Sequence, residues 1–489
     1  MERKPHLNQL TAVTGVLNTI LSCGLGLGFF TTILKTLRTQ NGEDIVFLYV
    51  ETAGEIAFTL SIIVIPLLMH VKGRRIANLA TTIPLLISWI ISLNPTHMIY
   101  LTVANILHNV SMGGAVTISS ILISEYSSPK FRATFLMLET VMISFGLLIS
   151  HVFAEYSFWS VISFLGFLSA LISLSVTYLT PESPHWLIHR GHIEKCTESF
   201  YWLRDRSEDS KELETLIKIY AIKIQRESLK PIRWSGIREI ILDYLKSLLT
   251  ADFLKPLSIM ILLFSFVAFG SDNFEKNYSF RNYFEFNDGK FTDTLIFDVL
   301  KLVCSITACV LIRIVKRKTL FLFTGAVSIL FLGLISIFMF LQTTLMFSPD
   351  YSWLLLCFVT GFIMFMSLGT TALPFSIMGE IFPMSHKSIG SSLACAYLWT
   401  FANGLSKLIP IGTEQIGVPG VLFVATITMT GILIVVGKVM PETCTGTLMD
   451  IEELFKLSKK AKENYIAVDV NEQNVTDNSF DKLKLFIES

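Results

Sequence analysis

Charge is scarce in this chain. Asp, Glu, Lys and Arg make up only 16% of its 489 residues, against roughly 25% in soluble domains. The 39 basic residues also balance the 39 acidic ones. A nucleic-acid-binding surface needs a basic excess, so that class of partner is excluded. Cysteine is sparse too. Cys23, Cys196, Cys304, Cys309, Cys357, Cys395 and Cys444 include no C-x-x-C spacing, which argues against a zinc site and a disulfide scaffold. There is no phosphate-cradling glycine loop, no nucleophile elbow and no cluster of metal ligands. No enzyme activity, cofactor or metal is therefore expected. The low polarity excludes disorder for the bulk of the chain.

What the chain has is apolar length. Apolar residues make up 52% of it, with a mean hydropathy of +0.59. They gather in runs at about 11–34, 46–69, 76–94, 98–123, 134–153 and 157–179, then at about 254–271, 292–312, 319–342, 352–378, 389–411 and 417–439, each near the ~20 residues that span a bilayer. The first run is too long for a signal-peptide core and has no small-residue cleavage pattern, so it reads as a retained span. The expected fold is an all-α membrane protein with twelve transmembrane helices in two six-helix bundles. Residues 1–10 form an N-terminal tail, 11–180 one bundle, 181–250 a helical linker, 251–440 the second bundle and 441–489 a polar C-terminal tail. Within the linker, Leu203, Leu213, Leu216, Ile217, Tyr220 and Ile224 fall near helical spacing, which predicts two or three short amphipathic helices against the bundles.

Basic residues set the orientation. One set of short loops holds Lys72, Arg74, Arg75, Lys130, Arg132, Arg313, Lys316, Arg317, Lys318 and Lys387; the opposite set holds Lys35, Arg38, Lys276, Arg281 and Lys290. The richer side is cytoplasmic, which puts both termini and the linker there. The sequon at Asn277 then faces outward, where it can be glycosylated, whereas that at Asn474 faces inward.

A pattern of charges recurs in both halves. Glu125 is followed by Arg132 and Glu380 by Lys387, seven residues on in each case, which indicates an internal repeat. Arg74 and Glu182 in the first half, with Arg317 in the second, complete a set that can pair across the seam between halves. Such pairs would latch the cytoplasmic side. Positive-inside anchoring alone explains the basic residues but not the matched carboxylates.

Several motifs carry a family resemblance. Pro181-Glu182-Ser183-Pro184-His185-Trp186-Leu187, Gly73-Arg74-Arg75, Ser124-Glu125 with Arg132, Met378-Gly379-Glu380-Ile381-Phe382-Pro383 and Pro441-Glu442-Thr443 resemble, in combination, the signatures of the sugar porter branch of the major facilitator superfamily. The short loop after Gly24-Leu25-Gly26-Leu27-Gly28-Phe29 is most like that of insect trehalose and glucose facilitators. The resemblance covers residues of about 10–455 and implies alternating access, a midplane sugar site and a plasma-membrane location.

The chain departs from that pattern where the family binds sugar. Positions at which the resemblance leads us to expect other residues carry Asn105, Thr140, Val267, Ala268, Lys301, Phe375 and Leu398, whereas Asn273 and Trp399 are kept. A buried sugar hydroxyl without a partner costs about 1–3 kcal/mol, and side-chain amides suit that task because each offers donors and an acceptor. With most of those amides lost, Thr140, Asn273 and Lys301 are the candidates to hold hydroxyls and Phe375 and Trp399 to cover an apolar sugar face. Lys301 lies twelve residues, or about 18 Å of helix, from Arg313, near the midplane, where an ionisable group is expensive. It either meets an anionic or polyhydroxyl solute or pairs with Asp298, Glu139, Glu51 or Glu55. Glu139 stands beside Thr140; His108 and His151 read as lone histidines at the membrane edge. Gly369 and Pro374 are placed to let the tenth span bend.

The leading expectation is a facilitative carrier whose partners are lipid and a small sugar or sugar-like solute. Two alternatives stay open: a carrier of an organic anion or polyol that uses Lys301, and a sugar-porter-like sensor that does not transport.

Overall fold

A computed structural model of the chain describes residues 5–41, 44–93, 98–204, 213–214, 216–218, 220, 250–270, 290–345, 352–383 and 386–441. Six long helices come first: α1 (Pro5–Asn41), α2 (Asp44–Lys72), α3 (Arg74–Ser92), α4 (Met98–Tyr126), α5 (Pro129–Glu155) and α6 (Trp159–Leu179). Two short ones follow, α7 (Pro184–His189) and α8 (Ile193–Leu203). The second set is α9 (Ala251–Phe269), α10 (Lys290–Leu311), α11 (Arg317–Leu345), α12 (Ser352–Phe365), α13 (Ala372–Ile381) and α14 (Lys387–Val439). A π turn at Met366–Thr370 joins α12 to α13. It contains Gly369 and precedes Pro374, the place where the sequence led us to expect a bend.

Nine stretches among the described residues are long and apolar enough to cross a bilayer. α14 is far too long for one crossing. Its 53 residues would extend about 80 Å as a straight helix, against a hydrocarbon core of about 30 Å. Gly417, with φ 74° and ψ 165°, breaks it. A Cβ on Gly412 would lie 3.1 Å from the Val421 side chain, a separation that a straight helix would stretch to about 13 Å, so the two arms fold back on each other.

Burial follows the logic of a lipid solvent. On α10, Val299, Val303, Ile306 and Val310 form an exposed apolar stripe, while Asp298, Cys304, Ser305 and Ala308 are buried. α2 likewise exposes Ile56, Leu60, Ile63 and Leu67. Where no water competes, small polar side chains join helices. In the first bundle Asn78 donates to Thr177 Oγ1 (2.8 Å), Trp89 Nε1 donates to Ser22 Oγ (2.7 Å) and the Thr19 and Ser173 hydroxyls meet at 2.6 Å.

α1–α6 pack together, and α9–α14 form the second bundle. Two long seams join them, α5 against α10 and α2 against α14; α13 also packs on the ends of α4 and α5. α7 and α8 dock on the first bundle. Trp186 Nε1 donates to His70 O (3.3 Å), Arg190 to Val71 O (3.0 Å) and Arg204 to Ser127 O (3.0 Å). Leu187, Cys196, Phe200, Leu213, Leu216 and Ile217 make a small core of their own.

Candidate functional site

The most highly organised polar region lies where α2, α4, α6 and α13 end and α3 and α11 begin. In the first bundle it is built around Glu182. Gly73, at φ 109°, turns the chain from α2 into α3. The first amides of α3 then point at a carboxylate: Arg74 N donates to Glu182 Oε1 (2.7 Å) and Arg75 N to Glu182 Oε2 (3.2 Å). A helix N-terminus favours an anion there. A Cβ on Gly73 would overlap Glu182 Oε2, so both the backbone angle and the space require glycine. Burial raises the Glu182 carboxyl above its ordinary range, offset in part by the N–H groups of Ser183, Arg74 and Arg75.

Arg74 reaches from this turn to Glu125 at the end of α4. Nε donates to Oε2 (2.8 Å) and a terminal nitrogen to Oε1 (2.7 Å), a bidentate pair. Ser183 Oγ adds a third bond to Glu125 Oε2, at 2.5 Å. His185, buried beside Arg204, Lys387 and Arg132, is pushed down to about 3 by burial, against the upward pull of Glu125. It is therefore a neutral member of the cluster at physiological pH.

The second bundle repeats the plan. Arg317 engages Glu380 through both terminal nitrogens, the longer bond being 3.1 Å, with both residues buried. The sequence led us to expect pairs across the seam, yet these two bidentate pairs each lie inside one bundle. The reason is local: the α2–α3 turn and the end of α4 already meet within the first bundle, and the start of α11 and the end of α13 within the second. Crossing falls to two cations that use hydroxyls. Lys387 Nζ, 2% exposed, donates to Ser124 Oγ (2.8 Å), and Arg313 Nε donates to Thr134 Oγ1 (3.0 Å). Ser392 Oγ also donates to Ile62 O across the second seam (2.8 Å). Backbones touch as well: a Cβ on Gly379 of α13 would lie 2.5 Å from Ser120 O of α4. This charged end is shut. Arg132 is buried within it. The part played here by Ser124, Ser183 and Gly379 was missed in the sequence, although each adjoins a carboxylate of the repeated pattern.

Toward the opposite end, His151 Nδ1 lies 2.5 Å from Asp298 Oδ2, joining α5 to α10. His151 is thus no lone histidine, and Asp298 is committed to it rather than to Lys301 alone. His108 corrects another expectation: it is buried inside the first bundle, its ring 5.2 Å from Phe30 and 6.1 Å from Trp89. On the other seam, Glu55 of α2 is exposed within electrostatic reach of Glu51 and of Lys407 on α14.

Between these ends lie the residues expected to meet a solute. Thr140, Lys301 and Trp399 each sit about 15–18 Å of helix from the charged end, half of a ~30 Å hydrocarbon core. All three are half-buried, as is Phe375. Thr140 Oγ1 donates to Met137 O of its own helix (2.8 Å). Trp399 packs on Phe58 of the first bundle, centroids 4.2 Å apart, and Phe375 on Phe264 at 5.2 Å. Both aromatics border one apolar cluster that includes Phe58 and Met137 of the first bundle, so they stand where the bundles meet. Tyr397, whose hydroxyl lies 2.6 Å from Ser265 Oγ, joins this region unforeseen. Asn273, Asn277 and Glu442 lie outside the described residues.

The family model described as sugar (and other) transporter matches residues 34–455. The chain belongs to that family. Membership in the sugar (and other) transporter family means that its kin are transporters, in line with a sequence that carries no enzyme motif. Relatives include the facilitated trehalose transporter Tret1 of Drosophila mojavensis, 29% identical over 386 residues, which are 78% of this chain and 43% of the relative. That of Culex quinquefasciatus is 28% identical over 79% of this chain and 72% of the relative. The chain thus spans less than half the length of the Drosophila protein. Among solved structures, the major facilitator superfamily proton:xylose symporter XylE bound to 6-bromo-6-deoxy-D-glucose superposes with a TM-score of 0.73 at 15% identity, covering 93% of this chain and all of that one. The inward open conformation of XylE from E. coli gives 0.58, also at 15% identity, over 91% of this chain and 99% of that one. These likenesses establish the major facilitator fold for this transporter-family chain, a multi-pass membrane protein.

Proposed function

We propose that this chain is a twelve-span carrier that moves a sugar or sugar-like solute down its gradient by alternating access. The observation that carries the reading is the pairing of a family match over residues 34–455 with a seam of matched bundles that is closed at the charged end by Lys387, Arg313 and Gly379. Two rigid bundles that touch through a few hydroxyl bonds and one backbone contact can rock apart there, which is what alternating access needs. The names of the insect relatives supply the cargo class, the disaccharide trehalose, and its monosaccharide glucose is the related solute to set beside it.

In this reading the charged end faces the cytoplasm, both termini and the 181–250 linker lie on that side, and Asn277 faces outward in the plasma membrane, where it is glycosylated. Arg74, Glu125, Arg132, Glu182, Arg317, Glu380 and Lys387 form the gate. The bidentate pairs hold each bundle's corner rigid, and Lys387 makes and breaks the contact between corners. Phe375 and Trp399 cover an apolar sugar face, and Thr140, Asn273 and Lys301 hold hydroxyls. A second cargo, an organic anion or a polyol, is supported by one feature: a half-buried cation, Lys301, at mid-depth, where charge is retained for function.

Counterflow into vesicles holding the purified full chain tests the reading, with labelled trehalose, glucose, inositol and a monocarboxylate as solutes. Trehalose or glucose accumulation supports it. Accumulation of the monocarboxylate, lost in Lys301→Gln, replaces sugar with the anion. If correctly inserted protein moves none of them, the carrier reading falls.

A further inference from the structure

One buried carboxyl takes no part in the gate or in the proposed sugar contacts. Glu139 lies ten residues into α5, about 15 Å of helix from its start at the charged end. It is 5% exposed. Its surroundings come from three helices. Ser119 of α4 supplies a side-chain hydrogen bond. Cys395 of α14, in the opposite bundle, is electrostatically coupled to it. Met137 and Leu138 of its own helix belong to or border the apolar cluster that crosses the seam. The second carboxyl oxygen, Oε1, has no hydrogen-bond partner.

Apart from Lys301, the charged groups on the elements around it are engaged elsewhere or sit at other levels. Arg313, just beyond the end of α10, bonds to Thr134, five residues nearer the charged end. Arg132 of α5 and Lys387 of α14 lie at the gate itself, Lys387 on Ser124. Lys301 of α10 stands at a similar depth.

We propose that Glu139 is a proton-binding site tied to the gate: it holds a proton while the bundles are closed over it and releases that proton when the charged end opens. A carboxylate buried with an unmatched oxygen carries a large desolvation cost, which the neutral acid avoids. A metal ion is a poor alternative ligand. Hard cations want about six oxygen donors, and the Cys395 thiol coupled to Glu139 is not one.

The consequence is directional. Cys395 belongs to the second bundle and Ser119 to the first, so opening the seam removes one wall of the pocket and admits water. The ionised form then becomes cheap. Acid on the charged side therefore favours the closed gate and alkali the open one. Because the proton enters and leaves on the same side, the site regulates the carrier without coupling sugar to a proton gradient. The inference holds for any cargo and rests only on the bundles separating at the charged end.

Two measurements on the full chain in lipid nanodiscs test it without any solute. Dicyclohexylcarbodiimide, which attacks protonated carboxyls in apolar surroundings, should label Glu139 in the wild-type protein at neutral pH, and peptide mass spectrometry reads the site. Absence of label there overturns the proposal, and this arm needs no variant to fold. The second arm follows alkylation of Cys395 by a charged maleimide. The ratio of the wild-type rate to that of Glu139→Gln removes the part of the thiol's titration that does not depend on Glu139; an ionised Glu139 holds the thiol protonated, which works against the expected rise. That ratio should rise with pH, by up to about tenfold per unit; a flat ratio overturns the proposal. Lys301→Gln should leave the rise intact. If it abolishes the rise, Glu139 is paired with Lys301 as a carboxylate and the proton site is wrong.

Discussion

The two bundles carry the same charges at the same spacing, but their corners are built differently. In the first, Glu125 takes two bonds from Arg74 and a third from Ser183, and the adjacent Glu182 holds the amides that begin α3. The linker helices α7 and α8 pack against this corner from outside the spans. In the second, Arg317 and Glu380 make a single buried pair. Beside that pair, Lys387 reaches out to the other bundle. A repeat in sequence thus became a braced corner on one side and a contact-making corner on the other. The difference comes from what each carboxylate's neighbours supply.

That comparison can be broken most forcefully at Glu125. Glu125→Gln leaves Arg74 buried without its counter-charge and should cost about 3–5 kcal/mol in thermal unfolding of the purified protein. Arg317→Met, in the less braced corner, should fall at the lower end of that range. Equal losses would mean that Ser183 and the Glu182 turn add nothing. Gly73→Ala comes next. It forces an L residue to φ 109° and displaces Glu182, so a loss of about 1–3 kcal/mol is expected. Adding Glu182→Ala to it should recover part of the steric share, a double-mutant comparison that isolates the clash.

His185 distinguishes the corners by pH. Its imidazole is pushed from the ordinary 6.5 to about 3, so the folded protein disfavours the proton that the unfolded chain accepts. The stability this reflects is full above pH 6.5 and is lost as pH falls, by up to about 2 kcal/mol at pH 5. His185→Gln should flatten that stretch of the melting-temperature curve; an unchanged slope would assign the acid sensitivity to another group. The smallest effect belongs to the contact between corners. Ser124→Ala removes one bond to Lys387 and should shift the balance toward the open charged end by about 1 kcal/mol. Distance measurements between labels on α4 and α13 read this shift, and melting should change little.

Much of the architecture was legible in the run lengths. Lipid demands about 20 apolar residues per crossing and forbids unpaired backbone, so apolar runs become helices with little choice. The charged residues of the shut end were legible as a set, because the Glu125–Arg132 and Glu380–Lys387 spacings repeat. Their partners were not. Whether Arg74 pairs with Glu125 or with a charge across the seam depends on which helix ends meet first, and spacing does not encode that. His151 and Asp298 are 147 residues apart in the chain and give no local signal that they touch. Glu139 looked like a neighbour of a threonine expected to meet the solute; its burial near Ser119 and Cys395 appears only once α4, α5 and α14 are assembled.

By itself, then, the order of residues determined a membrane-spanning helical chain with an internal repeat and one side rich in basic residues. These follow from local physics: the solubility of each segment in lipid, and the cost of moving charge across it. Tertiary packing alone decided that the two arginine–glutamate pairs close within bundles, that Lys387, Arg313 and the His151–Asp298 pair bridge them, and that Glu139 is sealed at the seam. Those outcomes turn on distances between side chains far apart in the chain, where a shift of a few ångströms exchanges a partner for water or for a hydrocarbon wall.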